Sequence, residues 1–231
     1  MTELGRELLA LRGIDPDAVD LEKLMSFEAR MVGVADEMSK YLHGKYPNVA
    51  FHVDNAVPRD YDQAYDRFLL HAGEDDARIT VHAYELEDGV LFRDDYYCRI
   101  KTADYEDWLE RRFGDIASGL RVFATLWCML GAAYTADYPV EQAADDACFL
   151  AYTWLLIPPS AEPFDRIAEA FQARVREMGL SGEFTLYRLA EPLARDATKE
   201  DVFRLFKSRD ADNPVYSDSL RVTQPGADRG E

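Results

Sequence analysis

The chain has 231 residues, of which 48% are hydrophobic and 12% aromatic, so it carries enough apolar side chain to bury a substantial core. Its 44 acidic and 26 basic residues give a formal charge of −18. A surface of that sign repels nucleic-acid phosphates and anionic lipid head groups, so we expect no direct nucleic-acid partner and no membrane partner.

The cysteines and the apolar runs indicate the cellular compartment in which the protein is expected. Three cysteines, Cys98, Cys128 and Cys148, form an odd set without CxxC spacing, which is typical of a reducing environment. The amino terminus lacks the basic and apolar pattern of a secretory signal, and the longest apolar run, 122–134, falls short of the roughly 20 residues of a membrane span. We therefore expect a cytoplasmic protein whose cysteines are small buried hydrophobes within strands.

The first part of the chain predicts two helices and a β-meander. A short helix is expected over residues 3–12, and a longer one from about Asp20 to Gly44, where apolar residues recur at steps of three and four. Asp88-Gly89 is a hairpin signal between the last two strands. The strands are predicted at residues 49–53, 68–72, 79–86 and 90–100.

The second part repeats a strand–helix–strand plan. Thr102 and Ser160 are expected to cap its two main helices, and a terminal helix is expected over residues 198–207. The order predicts an α+β fold with a two-layer, mainly antiparallel sheet and a ferredoxin-like βαββαβ order in residues 95–189. We expect one domain over residues 1–207, composed of 1–94, 95–189 and the terminal 190–207, followed by a flexible tail over 208–231.

The meander offers one candidate catalytic pair. If Glu87 pairs with Val90, Asp95 lies opposite His82, and a histidine beside a carboxylate can act as an oriented base. The same register places Asp94 on the apolar face, which suggests a bulge there. The competing interpretation is a half-exposed sheet face stabilised by polar cross-strand pairs, and we favour it because no nucleophile stands at a defined spacing.

Metal and cofactor signals are sparse. His52 and His71 fall in predicted strands and, with Asp54, are the candidate metal ligands, but no HxH or HExxH spacing joins them, so isolated sheet histidines are favoured. The sequence has no phosphate-binding loop, dinucleotide fingerprint, nucleophile elbow or kinase signature. We therefore expect no metal and no cofactor.

The stretch Arg93-Asp94-Asp95-Tyr96-Tyr97, together with Asp88-Gly89, Tyr105-Glu106 and Lys45-Tyr46, resembles an uncharacterised family of small bacterial proteins. In that family a helix ending in a Lys-Tyr pair leads into a meander and an Asp-aromatic-aromatic strand. The resemblance covers roughly residues 24–113. It implies a fold and brings neither an activity nor catalytic residues.

By elimination, the leading hypothesis is a non-enzymatic domain that binds an unknown protein or small molecule. The predicted binding face carries Tyr84, Arg93, Tyr97 and Arg99. One alternative is a hydrolase or isomerase that uses the His82–Asp95 pair. The other is an acidic decoy for a basic or nucleic-acid-binding partner, which requires regularly spaced carboxylates. The sequence permits a homo-oligomer without specifying one.

Overall fold

The computed structural model describes residues 1–73, 77–146, 148–194, 196–207 and 215–224. The chain divides into two compact units, unit 1 (1–100 and 128–138) and unit 2 (101–127 and 139–231). The predicted α+β class is confirmed, since unit 1 holds an antiparallel sheet and unit 2 a mixed one. Within the described ranges, no helix is both long and apolar enough to cross a membrane.

Unit 1 packs two helices against one face of a four-stranded sheet. The strands follow chain order, β1-β2-β3-β4, and every neighbouring pair is antiparallel. Alternate residues of the strands join the apolar stripes of the helices in one core, because a strand turns every second side chain to the same face. The elements are α1 (Glu3–Leu11), α2 (Ser26–Lys45), β1 (Phe51–Val57), β2 (Asp66–Ala72), β3 (Ala77–Leu86) and β4 (Gly89–Asp94).

Asp94 lies on the apolar face of this sheet, as its position in the sequence indicates, but the β3–β4 register continues through it without a bulge. The Asp94 side chain is fully buried, and Lys45, which is only 3% exposed, places Nζ 2.6 Å from its carboxylate. The hydroxyls of Tyr41 and Tyr46 donate to the same carboxylate over 2.5 and 3.0 Å. The ion pair and these hydrogen bonds offset the cost of burying the charge.

The segment 128–138 belongs to unit 1. Leu130 forms a β-bridge with Asp94, and Cys128 forms a disulfide with Cys98 across a Cα–Cα distance of 6.4 Å, within the usual range for such bonds. Cys98 and Cys128 are buried, as expected, but the rest of the cysteine prediction is wrong: these two are paired, Cys98 lies in a helix, and Cys148 is exposed. Because disulfides are typical of oxidising compartments, the cytoplasmic location stays an untested prediction.

In unit 2 the sheet order is β5-β6-β7-β8, and β6 and β7 are parallel while the other pairs are antiparallel. Of the predicted flexible tail, residues 208–214 and 225–231 lie outside the described residues, and residues 216–224 form β8, whose backbone pairs along the whole of β7. The elements are α3 (Tyr96–Phe113, which begins in unit 1), β5 (Arg121–Trp127), α4 (Val140–Ala143), β6 (Leu150–Ile157), α5 (Phe164–Glu177), β7 (Gly182–Leu189), α6 (Lys199–Lys207) and β8 (Tyr216–Gln224).

The repeated strand–helix–strand plan lacks its first strand. Residues from Tyr96 onward are already helical, so Thr102 lies inside α3 instead of capping it. The second helix begins at Phe164, after Pro163, and not at Ser160. Residues 95–189 therefore follow the order α-β-α-β-α-β, and the predicted βαββαβ order does not hold there.

Side chains cover the free edge of β5. Carboxylates of α3 accept hydrogen bonds from its backbone, Glu106 from the Ala124 amide over 2.6 Å and Glu110 from the Val122 amide over 2.9 Å. Lys199 of α6 donates to the Ala124 carbonyl. An edge strand protected in this way is a poor template for pairing with another chain.

Candidate ligand-binding face

Arg67, His82 and Arg93 form a row across the middle of the unit 1 sheet. In the register, Arg67 of β2 lies opposite His82 of β3, and His82 lies opposite Arg93 of β4. Their chain neighbours Phe68, Val81 and Phe92 are buried in the core, so the row is on the opposite, outward face. We call this set the cationic row.

Apolar and aromatic side chains border the cationic row on the same face. Tyr84 lies opposite Leu91 on one side of it, and Leu69 lies opposite Thr80 on the other. The Leu91 side chain is 40% exposed. The row therefore lies between the Tyr84–Leu91 pair on one side and the Leu69–Thr80 pair, with Asp95 beside Thr80, on the other.

Tyr65, which precedes β2, fixes the orientation of the imidazole. Its ring stacks on that of His82, with centroids 3.8 Å apart and planes inclined by 24°. Tyr65 also contacts Tyr84, at a centroid distance of 5.2 Å. Tyr65 thus covers one face of the imidazole.

Burial, and secondarily the positive charge of Arg67, lowers the pKa of His82 to about 4. The imidazole is therefore neutral near neutral pH, where it can donate one hydrogen bond and accept another. The Nε of Arg67 is buried and has no hydrogen-bond partner in the part of the chain that the structure describes. A buried donor left in this state costs roughly 1–3 kcal/mol.

The predicted pairing of His82 with Asp95 is wrong, because the register differs by two residues and places Arg93 opposite His82. Asp95 lies at the junction of β4 and α3. Its carboxylate accepts a hydrogen bond from the Thr80 amide over 2.8 Å, while its carbonyl accepts the first helical bond, from Arg99. Burial raises the pKa of this carboxylate to about 6.

These positions do not assemble a general base. The Asp95 carboxylate is bonded to a backbone amide, and His82, with a pKa of about 4, has a low proton affinity at neutral pH. An efficient general base has a pKa close to the working pH. The two residues therefore lie near each other in the fold without forming an acid–base pair.

The structure brings together two of the four residues predicted for the binding face. Tyr84 and Arg93 lie on the outward face. Tyr97 and Arg99 do not, because β4 ends at Asp94 and both belong to α3. Tyr97 is fully buried and its hydroxyl donates to the Tyr138 carbonyl over 2.9 Å, whereas Arg99 is exposed on the helix.

Arg67 and Tyr65 were not identified from the sequence. The sequence predicts a strand from Phe68, which leaves Arg67 outside it, although β2 begins at Asp66. Asp66 and Arg67 are both charged, so no polar–apolar alternation marks this start of the strand. An inward Asp66 is tolerated because Arg30 forms a salt bridge with it, at 2.7 Å.

The candidate metal ligands occupy one end of the same sheet. His52 and His71 lie opposite each other, but His52 Nδ1 is 2.7 Å from Glu7 and His71 Nε2 is 3.7 Å from Asp54. No group of three or more His, Cys, Asp or Glu side chains that could hold a metal occurs among the described residues. The histidines take part in separate side-chain pairs.

An open cleft of about 330 Å³ in unit 2 is the weaker candidate. It lies beside the end of α3 and is lined by residues of both charge signs, among them Asp107, Glu110 and Arg111. Glu110 already accepts from the Val122 amide and from Arg121. That carboxylate serves the fold, so the cleft offers less to a ligand than the cationic row does.

Comparison with protein-family models, curated proteins and solved structures finds no match to this chain. The resemblance of residues 24–113 to small bacterial proteins accordingly stays an expectation. Any assignment of function depends on the side chains of the outward face.

Proposed function

We propose that the protein is a non-enzymatic binding domain that takes an anionic ligand on the outward face of the unit 1 sheet. The observation that carries this proposal is the cationic row, in which two arginines flank a neutral imidazole and Arg67 has a buried Nε without a partner in the described chain. Guanidinium groups bind carboxylate and phosphate oxygens in pairs, with charge-assisted hydrogen bonds.

Solubility does not account for the row. A chain with a net charge of −18 is already far from neutrality, so grouping two arginines on one half-buried face adds nothing to solubility. Arg67 and Arg93 lie on either side of β3, so their positive charges flank His82 on one face of the sheet.

The alternatives have less support. A hydrolase or isomerase needs a base that functions at neutral pH, and His82 with its low pKa is not one. An acidic decoy needs carboxylates arrayed on the surface, whereas Asp66 and Asp94 are buried in ion pairs, and Glu106 and Glu110 bind the backbone of β5. Neither is favoured by a specific observation.

The test is a double substitution, Arg67→Gln with Arg93→Gln, in the full chain. Acetate, benzoate and inorganic phosphate are titrated into parent and variant, binding is measured by isothermal titration in both, and NMR of the Arg67 Nε–H signal locates the bound anion in the parent. We expect at least one anion to shift the Arg67 signal in the parent, and at least a tenfold loss of affinity in the variant.

The control carries the same change of charge elsewhere, with Arg99→Gln and Arg111→Gln, since both side chains are exposed on α3. It should bind as the parent does. Equal losses in both double variants would mean that only net charge matters. If none of the anions shifts the Arg67 signal, the proposal is wrong.

A further inference from the structure

Three of the four strand edges in the two sheets are hydrogen-bonded to other parts of the chain. The Val53 amide of β1 donates to the Glu7 carboxylate of α1 over 2.7 Å, and the register of β1 shifts between Val53 and Asn55. Asp94 of β4 exchanges backbone hydrogen bonds with Leu130, over 3.1 and 2.9 Å. The edge of β5 is bonded to side chains of α3 and α6. Such coverage keeps a strand edge from pairing with another chain.

The edge of β8 differs from the other three. β8 lies at the end of the unit 2 sheet beside β7, so its alternate backbone amides and carbonyls point away from the sheet. From Ser217 to Thr223, the backbone groups on this side have no hydrogen-bond partner in the described parts of the chain. Every second side chain over the same stretch is exposed. We call this row of backbone groups the β8 edge.

The strand that carries the β8 edge is locally neutral, although the whole chain has a net charge of −18. Its two charged residues are each paired within unit 2, Asp218 with Arg188 at 3.6 Å and Arg221 with Glu183 at 2.6 Å. A strongly basic or acidic partner therefore finds no complementary charge there. A second copy of the chain presents the same neutral strand of nine residues.

The strand is complementary to itself. A two-fold axis at Leu220, its middle residue, is the only one that pairs all nine residues of β8 with those of a second copy in antiparallel orientation. Ser217 then lies opposite Thr223 of the second copy, and Ser219 lies opposite Arg221 of the second copy. No like charges face each other in this register, whereas an axis at Arg221 would place two guanidinium groups opposite each other.

We infer that β8 is the interface of a homodimer, in which the β8 edges of two copies pair about Leu220 and join the two unit 2 sheets into one. Residues 217–223 of both copies then exchange about six to eight backbone hydrogen bonds. Specific protein interfaces carry about ten, with a spread of about five. Both copies are acidic, so salt that screens their repulsion should tighten the dimer. This inference concerns unit 2 and is independent of the anion site proposed in unit 1.

Sedimentation equilibrium of the full chain, at concentrations up to about 100 µM, tests the oligomeric state, and two substitutions test the register. Ser219→Lys places an ammonium group opposite Arg221 of the second copy, twice in each dimer, and should raise the dissociation constant about fivefold. Ser219→Asp places a carboxylate there and should lower the constant about fivefold. Net charge alone predicts the reverse order, because lysine brings the acidic chain closer to neutrality and aspartate takes it further away.

The matched controls are Ser118→Lys and Ser118→Asp, since Ser118 is exposed in the loop before β5, at the other edge of the same sheet. Both should dimerise as the parent does. Hydrogen exchange locates the interface, because the β8 amides that point away from β7 should become protected as protein concentration rises. A chain that stays monomeric at the highest concentration leaves the edge to a different partner and overturns the inference. A dimer whose β8 amides exchange as in the monomer, or whose Ser219 variants follow net charge, overturns it as well.

Discussion

The substitution Asp95→Asn is expected to change the pH dependence of stability, because the Asp95 carboxylate is buried at the junction of β4 and α3. Burial, opposed by the Thr80 amide and reinforced by the neighbouring charge of Asp94, raises its pKa to about 6 from the usual 3.8. Asparagine keeps an acceptor oxygen for that amide and removes the charge. The variant therefore isolates the cost of ionisation.

The sign follows from proton uptake. Between about pH 4 and pH 6 the folded state holds a proton on Asp95 that the unfolded state has lost, so the free energy of unfolding falls as pH rises through this window. At about 1.4 kcal/mol for each pKa unit the full effect is about 3 kcal/mol. Residual solvent at this partly exposed site reduces it to about 2 kcal/mol.

His82 contributes to the pH dependence of the free energy of unfolding with the opposite sign. Its pKa falls from 6.5 to about 4, so the unfolded state binds the proton first as pH falls, and stability is lost between about pH 6.5 and pH 4. The magnitude is again about 2 kcal/mol after allowance for solvent. In the parent protein the contributions of Asp95 and His82 nearly cancel over this range.

Urea unfolding at half-unit steps from pH 4 to pH 7.5, followed by far-ultraviolet circular dichroism, tests both contributions. Relative to the parent, Asp95→Asn should gain about 2 kcal/mol between pH 4 and pH 7, and His82→Gln should lose about 2 kcal/mol. Hydrogen exchange of the β3 amides assigns the change to unit 1. A difference between Asp95→Asn and the parent that stays constant over this pH range would refute the raised pKa of Asp95.

Two further predictions concern the buried contacts of unit 1. Lys45→Met should lower the free energy of unfolding by about 3–5 kcal/mol, because it leaves the Asp94 charge buried without its cation. Lys40→Met, at an exposed position of the same helix, should change it by less than about 0.5 kcal/mol. Equal effects of the two substitutions in urea unfolding would contradict the buried pair. Cys98→Ser removes the disulfide that closes a 30-residue loop to Cys128, and it should lower the free energy of unfolding by about 3–4 kcal/mol. The exposed Cys148→Ser is the control. An intact mass that shows free thiols at both Cys98 and Cys128 in the parent would refute this prediction.

The hairpin shows how far the sequence could predict the face. Asp88-Gly89 located the turn, but Gly89 pairs with Leu86 and leaves Glu87 and Asp88 in the loop, which Gly89 permits by adopting a φ of +144°. The resulting slip of two residues preserves the face of every side chain, because strands alternate with a period of two. His82 was therefore assigned to the correct face with the wrong partner.

The strand predicted through Ile100 failed for a tertiary reason. Tyr96 and Tyr97 have high β-propensity, so the local sequence pattern looks like a strand that continues past Asp95. In the structure the Thr80 amide donates to the Asp95 side chain, whereas in a continuing strand it would donate to the Asp95 backbone carbonyl. That carbonyl instead accepts the first hydrogen bond of the helix, from the Arg99 amide. A junction of that kind depends on a residue 15 positions away and has no local signature.

The net charge of the chain and the cationic row together limit the charge of the ligand more than either does alone. A chain with a net charge of −18 repels an approaching anion in proportion to the charge that the anion carries. The repulsion is therefore weakest for a monocarboxylate, stronger for a phosphate dianion and strongest for a nucleic acid. The field falls off within a Debye length of about 8–10 Å at physiological salt, whereas contacts with Arg67 and Arg93 operate within hydrogen-bonding distance. A small monoanion therefore experiences little repulsion and gains the full local attraction.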